Sequence, residues 1–157
     1  MAITKLQSES LNLADDFTFT GTVAGAGGGK VLQVVTATDS TSRTTTSTSF
    51  VTASNTLAVT ITPSSISSKI FIIINTTMLG ADVYYTIYRD STNLGTGTGF
   101  GGISSASARC AGAISVVDSP SSTSAITYQL YVKIASGTAY INVDGNKGSI
   151  TAMEIAG

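Results

Sequence analysis

The stretch Lys30–Ile74, KVLQVVTATDSTSRTTTSTSFVTASNTLAVTITPSSISSKIFIII, carries the pattern that decides the fold. An apolar run, Val31–Val35, leads into a Ser/Thr tract, Thr36–Ser49. A second apolar run, Leu57–Ile61, ends at a Pro-Ser-Ser turn, and a third begins at Lys69. Threonine is β-branched and suits a pleated strand, so the tract can stay extended between these runs. The stretch therefore predicts consecutive β-strands.

The same alternation of short apolar runs and turn residues continues to the end of the chain, and no segment keeps a 3.6-residue period. Asp144-Gly145, between two alternating runs, predicts a hairpin. We therefore expect an all-β fold, an antiparallel β-sandwich or jelly roll with a short extended N-terminal arm. The predicted strands are Lys30–Ala37, Thr56–Thr62, Lys69–Thr76, Asp82–Arg89, Gly99–Ser104, Ala106–Val117, Ala125–Ile134, Ala139–Val143 and Gly148–Ile155.

Period-two patterns also predict which side chains face the core. Val83, Tyr85 and Ile87 share one face of their strand, and the run from Tyr128 to Val132 repeats the pattern. Ile70–Ile74 is apolar at every position, so this strand is either covered on both faces or packed against a neighbouring chain. Because a sandwich covers only one face of each sheet, the pattern favours oligomerisation.

We divide the chain into an arm with a glycine joint, residues 1–29, and a sandwich domain, residues 30–157. Leu11, Leu13, Phe17 and Phe19 place apolar side chains at period two in the arm, which ends in the glycine run 25–29. Such a run is a flexible joint or a closely packed backbone. The apolar side of the arm must be buried on its own sandwich, on a sister chain or on a larger assembly.

Composition and charge exclude several classes of function. Charged residues make up 11% of the chain, against about 25% in an ordinary domain, and the formal net charge is −1. The scattered Lys and Arg residues form no basic patch, so no nucleic-acid partner is expected. No run approaches the ~20 apolar residues of a membrane span, so no membrane insertion is expected. The single cysteine, Cys110, excludes an internal disulfide; it is either a small buried side chain or an interchain thiol.

The sequence offers little for catalysis, and we predict a non-enzymatic protein without metal or cofactor. Histidine is absent, which removes the commonest general base and metal ligand. The acidic residues lie mostly at turns and strand ends, where Asp caps the backbone. A carboxylate pair for glycoside hydrolysis is the alternative. Tyr84, Tyr88 and Tyr140 could stack on sugar rings and are the candidate glycan contacts, although core or interface packing also explains them.

Four segments together resemble a known group of domains. They are Gly29–Val35, the tract Thr41–Ser49, the turn Ile61–Ser65 and the terminal Met153–Gly157. From Gly29 onward the chain resembles the small β-sandwich domains of tail fibres and capsid-decorating proteins of tailed bacteriophages, especially marine and cyanobacterial phages. The resemblance implies a protein of the virion surface, made in the host cytoplasm.

The resemblance also implies a homotrimer with closed three-fold symmetry. Its partners would be the major capsid or tail protein, with Leu11, Leu13, Phe17 and Phe19 of the arm as the particle-attachment residues. Two versions remain open: a capsid decoration or cement protein, which the short chain favours, and a short tail or head fibre that binds a host surface glycan or receptor. A stand-alone carbohydrate-binding module is the alternative from another class, and it leaves the apolar arm unexplained.

Overall fold

The computed structural model describes residues 30–157, so the predicted arm with Leu11, Leu13, Phe17 and Phe19 lies outside the described residues. The described chain forms nine β-strands and one 3-10 turn, and its ladders are antiparallel, which confirms the predicted all-β fold. None of its helical segments is long and apolar enough to cross a membrane. The strands are β1 (Val31–Asp39), β2 (Arg43–Thr45), β3 (Ala58–Ile61), β4 (Lys69–Arg89), β5 (Thr92–Asn93), β6 (Gly101–Asp118), β7 (Ile126–Ile134), β8 (Ala139–Ile141) and β9 (Gly148–Ile155).

The long strand β4 is the centre of the sheet because it is paired along both edges. β6 follows one edge, with Gly101 opposite Tyr85 and Asp118 opposite Ile70. β7, β8 and β9 follow the other edge one after another, so the last part of the chain runs once along β4. β3, β2 and β1 then pair with β7, β8 and β9 in turn. The result is a single antiparallel sheet of four long rows.

This sheet is folded back on itself. A straight strand of 21 residues would span roughly 70 Å at about 3.3 Å per residue. However, Arg89 at the end of β4 donates from Nη1 to both carboxylate oxygens of Asp118, at 3.0 Å each, and Asp118 lies opposite Ile70 at the start of β4. The bend falls at Gly80–Asp82, where the pairing with β6 shifts register and both Gly80 and Asp82 have positive φ. The two ends of β4 therefore lie at one end of the domain, the open end, and the bend forms the other.

The core lies between the two halves of the folded sheet. Ile72 from the first half of β4 and Ile87 from the second are both fully buried in one cluster, joined by inward side chains of β7 and β9. Each such side chain contributes about 1.5–3 kcal/mol through its burial. Tyr128 of β7 is also fully buried, and its hydroxyl donates to Asp118 Oδ2 at 2.7 Å. Burial first, and then the Asp118 carboxylate, raise the pKa of Tyr128. The predicted inward faces of β4 and β7 are confirmed.

Two pairs of predicted strands are in fact single strands. Lys69–Thr76 and Asp82–Arg89 belong to the one strand β4, and Gly99–Ser104 and Ala106–Val117 are largely merged in β6. An interruption of the apolar alternation separates the two predicted members of each pair, at Gly80-Ala81 in the first and at Ser105 in the second. Both strands continue through it as an irregular, bulged region because each still has the other as its partner.

The predicted hairpin at Asp144-Gly145 is wrong. A 3-10 turn, Val143–Gly145, does form there, with Asn142 and Asp144 at positive φ. The strands on either side of it, β8 and β9, do not pair with each other in the described chain. They lie end to end along the same edge of β4, because β4 is long enough to accept both.

The bend predicts a position-specific effect of replacing glycine. A Cβ atom on Gly80 would lie 2.7 Å from Val83 Cγ2 and 2.9 Å from the Thr138 carbonyl oxygen, at a φ of 147°. Gly80→Ala should therefore lower the free energy of unfolding by about 1–3 kcal/mol, measured by urea denaturation. Gly97→Ala is the matched control, because a Cβ there meets nothing within 4 Å. Equal stabilities of the two variants would contradict the role given to Gly80.

Candidate functional site

The outward side of the first half of the sheet is apolar across four neighbouring strands. Val34 lies opposite Met153, Met153 opposite Phe71, and Phe71 opposite Val117, so one row of apolar side chains crosses β1, β9, β4 and β6. The next outward positions add Ile73 and, towards the open end, Ile155. We call this surface the apolar face; its members are Val34, Phe71, Ile73, Val117, Met153 and Ile155.

The apolar face is open to water in the described chain. Val34 is 56% exposed and Val117 is 54% exposed, and the side chains between them are half-buried. Beside them at the open end, Val31 and Leu32 are exposed as well. The other outward positions nearby carry mostly hydroxyls, such as the Thr36–Thr151 pair, whose Oγ1 atoms are 3.0 Å apart. A contiguous exposed apolar patch marks an interaction surface.

A buried carboxylate behind this face holds the two halves of the sheet together. Glu154 of β9 is only 1% exposed, and its Oε1 accepts hydrogen bonds from Ser64 N at 2.7 Å, Ser64 Oγ at 2.6 Å and Ser68 Oγ at 2.7 Å. Its Oε2 accepts from Gln33 Nε2 at 2.6 Å. Gln33 Nε2 also donates to the Thr62 carbonyl oxygen at 2.8 Å, which ties β1 to the end of β3. The network therefore links β1, β9 and the segment between β3 and β4 at the open end.

The environment of Glu154 keeps it ionised. Burial by itself raises the pKa of this carboxyl, but hydrogen bonds from the side chains of Ser64, Gln33 and Ser68 and from the Ser64 backbone lower the pKa to about 2. Donors aimed at a carboxylate favour its charged form. Glu154 is therefore a structural anion, and all four of its donors are neutral groups.

Sequence reasoning missed the role of Glu154, while it explains other acids correctly. Asp39 caps a turn as predicted: its carboxylate accepts from the backbone N–H groups of Thr41 and Thr56 at 2.8 and 2.9 Å. Burial raises the pKa of Asp39, but these bonds and the nearby Arg43 hold it below its usual value. Glu154 lies inside a strand, and its donors come from distant segments. Its inward position in an alternating strand was the one available signal.

The outward side of the second half of the sheet carries an aromatic cluster, which consists of Phe50, Tyr84, Tyr88, Tyr131 and Lys133. Tyr88 and Tyr131 are stacked with ring centroids 4.0 Å apart, and Phe50 meets Tyr88 edge-on at 6.5 Å. Lys133 Nζ lies 4.7 Å from the centre of the Phe50 ring and 5.5 Å from that of Tyr84. The same amine donates to the Gly97 carbonyl oxygen at 2.6 Å. The cluster therefore places several aromatic rings beside the positively charged amine of Lys133.

The three predicted glycan contacts do not form one group. Tyr84 and Tyr88 belong to the aromatic cluster, whereas Tyr140 lies on β8 opposite Leu79 and Thr44, next to the bend. Tyr140 is 38% exposed and takes part in none of the ring contacts of the cluster. The structure thus supports Tyr84 and Tyr88 as neighbours and separates Tyr140 from them.

Other predicted features are placed as follows. Cys110 is half-buried on β6 rather than fully buried, because β6 is an edge strand in the described chain. Within residues 30–157, no group of three or more Cys, Asp or Glu side chains could hold a metal ion. That part of the chain also shows no pocket. The arm residues proposed for particle attachment lie outside the described residues.

Comparison with known proteins adds no assignment. The chain matches no family model, and it has no match among the curated proteins searched. The resemblance to phage β-sandwich domains therefore stays a prediction.

The Glu154 network predicts a specific loss of stability. Glu154→Gln keeps the shape of the side chain but places an amide NH₂ among groups that donate, so the free energy of unfolding at pH 7 should fall by about 1–3 kcal/mol. In the wild type, the contribution of Glu154 is complete above the ordinary pKa of 4.5 and is lost as pH falls towards about 2. Glu154→Gln should therefore flatten the stability profile between these two pH values, measured by urea denaturation.

Asp144→Asn is the matched control for that experiment. Its side chain is 56% exposed and pairs with Arg109, which is also exposed. Such a surface pair contributes about 0–1 kcal/mol, so the control should leave the acid profile unchanged. If both variants have the same pH profile as the wild type, Glu154 is not the buried anion described above.

Proposed function

We propose that this chain is a non-enzymatic structural protein displayed on the outside of a tailed-phage particle, as a homotrimeric capsid decoration (cement) protein anchored by its N-terminal arm. The observation that carries the proposal is the apolar face, which spans four strands and is exposed in the single chain. Monomeric proteins in water rarely expose such a surface without a partner. The resemblance of the segments around Gln33, Ser64 and Glu154 to phage domains supplies the virion context.

The two ends of the domain differ in a way that suits this role. Ala156 N donates to the Lys30 carbonyl oxygen at 2.9 Å, so the sandwich begins and ends at its open end. The exposed apolar residues Val31 and Leu32 lie at the same end. The bend lies at the other end. We infer that the open end, with its arm, holds the particle and that the bend projects outward.

Hydrophobic contact is the physical basis of the proposed attachment. Apolar area removed from water contributes about 25 cal/mol per Å², and a protein laid across a joint between capsid subunits adds this energy to the shell. The chain is only 11% charged, so this attachment would depend weakly on salt. Hydroxyl groups instead of charges keep the remaining surface hydrated.

The aromatic cluster favours a second candidate, a tail or head fibre that binds a host surface glycan. Tyr84 and Tyr88 offer rings and Lys133 offers a donor within one small area. If this candidate is right, Tyr84→Ala should remove binding to a glycan array, whereas Tyr140→Ala, outside the cluster, should not. A stand-alone carbohydrate-binding module would give the same array result without any particle.

Deleting residues 1–29 tests the leading proposal. The truncated protein should keep its β-sheet circular-dichroism spectrum and its cooperative unfolding, because the core and the Glu154 network lie within residues 30–157. It should no longer enter particles when it is supplied during assembly, measured by gel analysis of purified virions. Full-length protein supplied in the same way is the control. Truncated protein found in particles at the full-length level would rule out attachment by the arm.

A further inference from the structure

We infer that the apolar face is the docking site for the arm segment Phe17–Val23 of a second copy of this chain, so that copies are joined by exchanged arms. The inference deepens the proposed homotrimer and rests on that part of the proposed function. Under this inference, Leu11 and Leu13 contact the particle. The segment Phe17–Val23, which is nearer the glycine joint, contacts the neighbouring subunit.

The direction of the chain at the open end favours a neighbour over self-docking. β1 remains paired with β9 back to Val31, which lies opposite Ile155, and Ala156 N still bonds to the Lys30 carbonyl. At Lys30 the backbone, followed towards the N-terminus, therefore points past the end of the sheet and away from the apolar face of its own subunit. To cover that face, the chain would have to reverse within the glycine joint. To reach a neighbour's face, it can continue outward.

The arm segment Phe17–Val23 and the apolar face match in size and chemistry. The apolar row crosses four strands, about 14 Å at ~4.8 Å per strand, and an extended segment of seven residues spans about 20 Å. Phe17, Phe19 and Val23 are spaced by two or four residues, so they would share one side of an extended segment. Two Phe side chains bury about 300–500 Å², which is the size of a functional apolar patch of about 300–600 Å². The row itself carries no charge.

Exchange also accounts for closed three-fold assembly. Arm and face are different surfaces, so their contact is heterologous, and a heterologous contact closes into a ring when its rotation allows. Three arms on three faces would leave no apolar face exposed. The contact is uncharged, so high salt should not separate the copies.

The first test is the solution mass of the full-length protein by light scattering coupled to size exclusion. We expect three times the 15.9 kDa of one chain, unchanged in 1 M NaCl. The arm variant Phe17→Ser/Phe19→Ser and the face variant Val34→Ser/Val117→Ser should each run as monomers. Both face positions are more than half exposed, so the fold should survive, as checked by urea denaturation. Tyr140→Ser, exposed but outside the face, should remain trimeric.

Mixed labelling separates exchange from self-docking. Copies enriched in ¹⁵N are mixed with unenriched copies that carry a spin label at Thr18→Cys, both in a Cys110→Ser background. Exchange predicts that the label broadens the amide signals of Val34, Phe71 and Met153 in the enriched copies. If these signals broaden only when label and enrichment are in the same chain, the arm docks on its own subunit and the inference is overturned.

The remaining outcomes distinguish the inference from the proposed function. A trimer that persists in the arm variant overturns the exchange and leaves the homotrimer standing. A monomeric full-length protein overturns both the exchange and the homotrimer, whereas an arm-dependent dimer overturns the homotrimer and leaves the exchange standing. An arm-exchanged trimer that does not enter particles removes the virion role and leaves the exchange intact.

Discussion

The structure depends on one constraint: β4 is paired along both edges and still has to fold back within a small domain. The bend at Gly80 and Asp82 allows this, and the Arg89–Asp118 pair joins the end of the strand to the partner of its beginning. Tyr128 adds a hydrogen bond to the same carboxylate from the opposite wall of the core. Because β9 and β1 follow the first half of β4, its doubling back places both ends of β4 and the start of β1 at the open end.

The Glu154 network explains why separated segments of the sequence belong together. Gln33, Ser64 and Glu154 come from three of the segments that carry the resemblance to phage domains, and they meet at one buried carboxylate. A buried anion without a cation needs several donors, and an amide, two hydroxyls and a backbone N–H supply them. These segments therefore close the sandwich behind the apolar face, and their residue types reflect this structural role.

The sequence predicts those features of the fold that depend on local periodicity. Alternation correctly identified the buried sides of β4 and β7, because side chains in a strand alternate between faces. It could not predict that Gly80-Ala81-Asp82 is a bulge inside a strand, because the same residues suit a turn and the difference lies in the partner strand. It could not predict the Glu154 site either, since Gln33 is 121 residues away in the chain. Tyr88 meets Tyr131, and Tyr84 meets Lys133, for equally non-local reasons.

The two outward surfaces differ in how much of their apolar area the chain covers by itself. On the second half, Tyr131 occupies one side of the Tyr88 ring, and Lys133 lies against Phe50 and Tyr84. That surface is partly satisfied by its own side chains, which leaves less ring area for a sugar. On the first half, no segment of residues 30–157 lies over the row from Val34 to Val117. The unsatisfied surface is therefore the one on which an external contact would gain more, and this asymmetry favours assembly over glycan binding as the main role of the domain.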